Sequence, residues 1–141
     1  MRLKLVAYTP DVEELIATAA LTTASRRTPQ EIYEGLRERR DRVQKILKGI
    51  TLKHGTVLEH NRLVFLAEAD EHEILSMLLA NRFFEATRLG ERTWLLSCSL
   101  RIALSVLVDG QDVPEGLREG LSEALREVAP TIWERVSGNE G

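Results

Sequence analysis

The sequence predicts an α+β domain, mostly helical, with a small sheet. Three observations carry that reading. Apolar residues alternate with their neighbours at Leu3, Leu5 and Ala7, and a second short apolar run covers Leu63 to Ala69, as strands of a small sheet do. Helical stripes recur elsewhere, in Ile74, Leu75, Leu78 and Leu79 and in Leu117, Leu121, Ala124, Leu125 and Val128, each set lying on one face at 3.6 residues per turn. Finally, 141 residues with 43% apolar and 29% charged side chains are enough for one soluble domain with its own core.

The elements follow in order. The first strand stops at Thr9-Pro10. Asp11 and Glu14 have the spacing of a capping box, and Val12, Leu15, Ile16, Ala19 and Ala20 continue as a helix face. A second helix start is written in Thr28, Pro29 and Glu31: a cap, a first-turn proline and a capping-box partner. Ile32, Leu36, Val43, Ile46 and Leu47 share one stripe, so one helix is expected from Thr28 to a stop at Lys48-Gly49. Its Arg37, Arg39, Arg40 and Arg42 interleave with Glu34, Glu38 and Asp41, the pattern of a solvated helix face. After the strand at 63–69, a helix is expected from about residue 71 to 84. Trp94 to Val108 is apolar nearly all round and predicts one buried helix, in the domain centre or at an oligomer interface. Asp109-Gly110 ends it, Pro114-Glu115 opens the next, Pro130 breaks that one, and Thr131 to Val136 add a turn. The domain is expected over 1–136, with a disordered tail over 137–141.

Composition narrows the function classes. A net charge of −3 and 5% aromatic residues argue against a nucleic-acid polymer as partner. The single cysteine, Cys98, excludes an intrachain disulfide and a Cys-rich zinc site and fits a reducing compartment. No apolar run reaches the ~18 residues of a membrane span, and the first residues lack the apolar core of a signal peptide. A cytoplasmic protein with no membrane partner is the expectation.

Three places could carry chemistry. His54-Gly55-Thr56-Val57-Leu58-Glu59-His60 gathers two imidazoles, a hydroxyl and a carboxylate. It reads as a metal site, as a braced loop before a strand, or as a ligand site with Thr56 on a phosphate or ring oxygen. The spacing matches no common zinc pattern. Arg82, Arg88 and Arg92 fall within eleven residues and could hold an anion bidentately, or be neutralised by Glu85 and Glu91. Arg101 sits in the apolar 94–108 stretch and so needs a partner, Glu59 or Glu68 or a ligand phosphate. Cys98 reads as a small buried hydrophobe.

At residues 54–60 the chain resembles the flavin-dependent thymidylate synthases, which carry a GHxSxxEH-like segment before a strand and then a helix leading into an RHRxxSxxxxSxR signature. "YTPDVEELIATAA" is similar to that family's first turn and helix, "ANRFFEATRLGER" stands where the signature belongs, and "TWLLSCSLRIALSVL" and "LREVAPTIWERV" resemble its central and C-terminal helices. The resemblance implies the family's fold, a homotetramer or dimer, and flavin sites between subunits. It implies FAD as cofactor, with NADPH and methylenetetrahydrofolate for turning dUMP into dTMP. His54, Thr56, Glu59, Arg82 and Arg101 would line the FAD site and Arg92 would meet substrate, with no metal. The chain also departs from the signature. Ala80 and Asn81 replace its first arginine and histidine, Glu85 and Gly90 replace its serines, and helices that enclose the nucleotide are missing between Arg92 and Thr93. The expectation is a divergent relative that binds FAD or a nucleotide, with catalysis weakened. The alternative is a non-catalytic, oligomeric helical scaffold.

Overall fold

The computed structural model describes residues 1–22, 24–50 and 55–138. In chain order these form β1 (Arg2–Tyr8), α1 (Val12–Thr22), α2 (Pro29–Arg37), α3 (Arg40–Gly49), a 3-10 turn (Thr56–Glu59), β2 (Leu63–Glu68), α4 (Glu71–Ala80), β3 (Glu85–Arg88), β4 (Thr93–Cys98), α5 (Leu100–Val108), α6 (Leu117–Val128) and α7 (Pro130–Gly138). The class is α+β, as the patterning predicts. The last helix takes in Ser137 and Gly138, and residues 139–141 lie outside those described.

The four strands run in the order β1-β2-β4-β3, every neighbouring pair antiparallel. Register explains the core. Leu5 faces Phe65, which faces Leu96; Leu3 faces Ala67, which faces Trp94. Phe65, Ala67, Trp94 and Leu96 are buried, whereas Leu66, Glu68, Thr93 and Leu95 between them are exposed. One sheet face therefore carries the core and the other meets solvent, the ordinary arrangement of an antiparallel sheet. Helix α6 packs on β1 because Gly120 has no side chain; a Cβ there would come 2.7 Å from Leu3 Cβ.

Four expectations need correction. The helix expected from about residue 71 to 84 ends at Ala80, with Asn81 as its cap. Residues 94–108 are a strand followed by a helix. Trp94, Leu96 and Cys98 point inward with period two, and Ser99 caps α5 by accepting from Ile102 N at 3.3 Å. Residues 28–49 are two helices broken at Glu38 and Arg39. Thr28 does cap α2, accepting from Glu31 N at 3.3 Å, but the break turns α3 so that Arg40 reaches back to α1. The proposed Asp11–Glu14 box is also absent. Asp11 takes the Tyr33 hydroxyl at 2.9 Å and Arg37 at 3.4 Å, and Glu14 takes Arg40 at 3.1 Å. The full box belongs to α4, between Asp70 and Glu73.

Arg40 anchors the helical side. It donates to Glu13, which is 1% exposed, and to Thr131 Oγ1 at 3.2 Å, while Glu13 also accepts from Ile132 N at 3.1 Å. The cluster joins α1, α3 and α7. Burial opposes the charge on Arg40, but Glu13 and Glu14 outweigh it and raise its pKa. A buried carboxylate matched in this way is tolerated; unmatched it would not be.

Candidate functional site

The segment before β2 is fastened to the start of α5. Asn61 is buried; its amide donates to Leu58 O at 2.9 Å and its carbonyl accepts from Leu100 N at 2.6 Å. Glu59 accepts from Ser99 Oγ at 3.0 Å. The first N–H groups of a helix lack internal partners and carry positive potential. Here Asn61 and Ser99 satisfy two of them, with Glu59 alongside. Thr56 and Glu59 both face solvent. His54 lies outside the described residues. No group of three or more His, Cys, Asp or Glu side chains converges among the described residues.

The arginine cluster is spread by the hairpin β3–β4, which the sequence reading missed. Leu89 N and Gly90 N both donate to Thr93 O, at 2.8 and 3.1 Å, so a tight turn joins the two strands with no helix between them. Arg88 serves this turn. It donates to Gly90 O and Glu91 O, both at 3.1 Å, and stacks over Trp94. Arg92 lies at the end of the sheet where Thr93 pairs with Glu68, and its carbonyl accepts from Ala69 N at 2.9 Å. Arg82 lies at the other end of α4, a helix of ten residues spanning about 15 Å. Asn81 ties that end to α5, donating to Ser105 Oγ at 3.2 Å. The chain thus groups Glu59, Arg82 and Arg101 toward the α5 end of the sheet and leaves Arg92 at the opposite end.

No protein-family model matches the chain, and neither does any curated protein.

Charge sorts these residues further. Glu85 meets Arg62 at 2.7 Å, and Arg62 also donates to Ser97 Oγ at 3.3 Å. Arg88 faces Glu71 at 3.8 Å, and Arg2 faces Glu68 at 3.9 Å. Arg82, Arg92 and Arg101 have no carboxylate partner among the described residues, and all three are exposed; Arg82 lies over the Phe83 ring at 4.9 Å. Arg101 needs neither Glu59 nor Glu68, although its segment is apolar, since the first turn of α5 turns it to solvent. Cys98 is buried, and burial pushes its thiol up to about 12, against a small opposing pull from Arg62. It is no nucleophile near neutral pH.

Sequence reasoning missed Asn61, Arg62 and the pair of Glu13 and Arg40. Each acts on a partner distant along the chain, so no local spacing announces it. For Asn61 the sequence offers only its place two residues before the β2 run.

Proposed function

We propose that the chain is a divergent, flavin-dependent thymidylate synthase-like binding protein. In this reading it has the family's fold, assembles as a homo-oligomer in the cytoplasm, and takes a small phosphorylated ligand, FAD or a nucleotide, without efficient turnover. The observation that carries it is the sorting of the arginines. Arg82, Arg92 and Arg101, the ones the resemblance assigns to ligand, are exposed and meet no carboxylate among the described residues, while their neighbours Arg2, Arg62 and Arg88 are paired. Free guanidinium groups suit phosphates. FAD, when bound, would supply the redox chemistry; the chain's own residues would hold and orient it.

The remaining signature positions fit the family's chemistry poorly. Ala80 offers no charge, the Asn81 amide is engaged with Ser105, and Glu85 is clamped by Arg62. Each missing charge-assisted bond is worth ~1.5–3 kcal/mol. Weaker nucleotide binding and inefficient turnover follow.

Homo-oligomer formation is supported by the outer side of α4. Leu75 and Leu79 on α4 and Phe83 just beyond its end recur four residues apart and are 52%, 88% and 56% exposed. Glu71 flanks this stripe at one end and Arg82 at the other. An antiparallel pairing of α4 with its copy would match apolar with apolar and acid with base, as a two-fold interface requires. It would also carry the partner's Arg92 toward Arg82, assembling between two chains what one chain separates. The second reading, a non-catalytic oligomeric scaffold, draws on the same stripe alone.

Two assays test the proposal. Protein purified without added cofactor should show a flavin absorption spectrum or acquire one with FAD. It should release no tritium from labelled dUMP with NADPH and methylenetetrahydrofolate. Absence of both flavin and dUMP binding at millimolar ligand would leave the scaffold reading; rapid tritium release would make it an enzyme.

A further inference from the structure

A recess of ≈ 430 Å³ opens between the end of α1 and the elbow of α2 and α3. None of the residues assigned to flavin or nucleotide lines it. It exists because the 28–49 stretch is broken rather than continuous. Its floor is Leu21, Ile32 and Leu36; its rim carries Arg27, Arg39 and Arg42. Its volume falls in the range of about 300–1,000 Å³ typical of small-molecule sites, which pair an apolar lining with a few polar groups.

The charge around it is out of keeping with the whole chain. Residues 26–49 hold eight basic and four acidic side chains, in a protein of net charge −3. Arg42 meets no carboxylate among the described residues. Arg39 meets exposed Asp41 at 3.3 Å, and Arg27 only approaches Glu31, at 3.9 Å. Such exposed pairs contribute little, so an incoming anion can exchange with them. A second recess, of ≈ 690 Å³, shares Leu21, Arg39 and Arg42 with the first. These two arginines therefore stand between two hollows and can reach a ligand in either.

Gly35 supplies an independent observation. It sits inside α2, where glycine is unfavourable. A Cβ built on it would meet only Arg27 Nη2, at 3.9 Å. The chain's own packing does not demand a glycine there. What the glycine does is leave the wall of the recess open.

We propose that this recess binds a small organic anion. A phosphate or carboxylate group pairs with Arg39 and Arg42, and an apolar body rests on Leu21, Ile32 and Leu36. The site is separate from the flavin reading and stands or falls without it.

Amide NMR titrations of the full chain test it with naphthyl phosphate, naphthoate, naphthol and inorganic phosphate. The two naphthyl anions should saturate below about 1 mM, with shifts at Gly35, Leu36 and Arg42. Naphthol and inorganic phosphate should each bind at least tenfold more weakly, because each lacks one half of the ligand. The G35L substitution should abolish binding by filling the recess while leaving the circular dichroism spectrum unchanged. The R42E substitution should weaken it roughly tenfold or more, which keeps the test intact if the first variant misfolds. The proposal is overturned by the absence of saturable shifts at about 5 mM naphthyl anion. Equal binding of naphthol, equal binding of inorganic phosphate, or unchanged affinity in folded G35L and R42E would overturn it as well.

Discussion

On the side built from α1, α3 and α7, charge is buried and matched: Glu13 is 1% exposed and is met by Arg40 and the Ile132 N–H. Around α4 and the β3–β4 hairpin the reverse holds. Leu79 is 88% exposed, and Arg82 and Arg92 meet no carboxylate among the described residues. The contrast separates two kinds of work. A buried carboxylate must be answered for the fold to stand. Exposed, unanswered groups add little to folding stability and are free for a ligand or a second copy of the chain.

Substitutions should divide along that line. Arg40→Ala has the largest expected effect, because it strands Glu13 in the interior. The cost should be about 3 kcal/mol, read as a fall in melting temperature of about 10 °C; an unchanged melting curve would mean that the pair is ornamental. Asn61→Ala comes next. It leaves Leu100 N and Leu58 O without their buried partner, at about 2 kcal/mol, measured by urea denaturation. Cys98 gives a smaller, pH-dependent effect. Burial holds its thiol at about 12 against an ordinary 9.0, so the unfolded chain loses this proton first as pH rises. Its contribution is intact below pH 9 and declines toward pH 12, by about 1 kcal/mol near pH 10. A thiol reagent at pH 8 should accordingly react only after unfolding. Leu79→Lys should be smallest for stability, within about 0.5 kcal/mol, yet should shift sedimentation toward the monomer. Should it unfold the protein without altering assembly, α4 would belong to the core side of the comparison.

Legibility in the sequence follows the same division. β1, β2, α6 and the cap at Thr28 could be read because their signals are local: an apolar run, a stripe, a hydroxyl before a proline. The Thr93–Cys98 strand could not. Leu95 puts an apolar side chain on its outer face as well, and that hides a period of two. β3, with Glu85-Ala86-Thr87-Arg88, has no apolar pattern at all and exists through its pairing with β4. No glycine or proline marks the break between α2 and α3. It serves Arg40, whose partner Glu13 is 27 positions away. The site divides similarly. The turn carrying Thr56 and Glu59 stands before β2 as expected, whereas Arg82 and Arg92, near in sequence, are set at opposite ends of α4 by a hairpin that spacing does not reveal.

The central claim is that Arg82, Arg92 and Arg101 are there for a phosphorylated ligand. Calorimetric titration of FAD into the native protein and into an Arg82→Ala, Arg101→Ala double variant tests it most directly. The account predicts binding tighter than about 1 mM in the native protein. It predicts a loss of roughly 100-fold in the variant, with both proteins melting within about 2 °C of each other. No binding of FAD to the native protein, or equal binding by both, would contradict it.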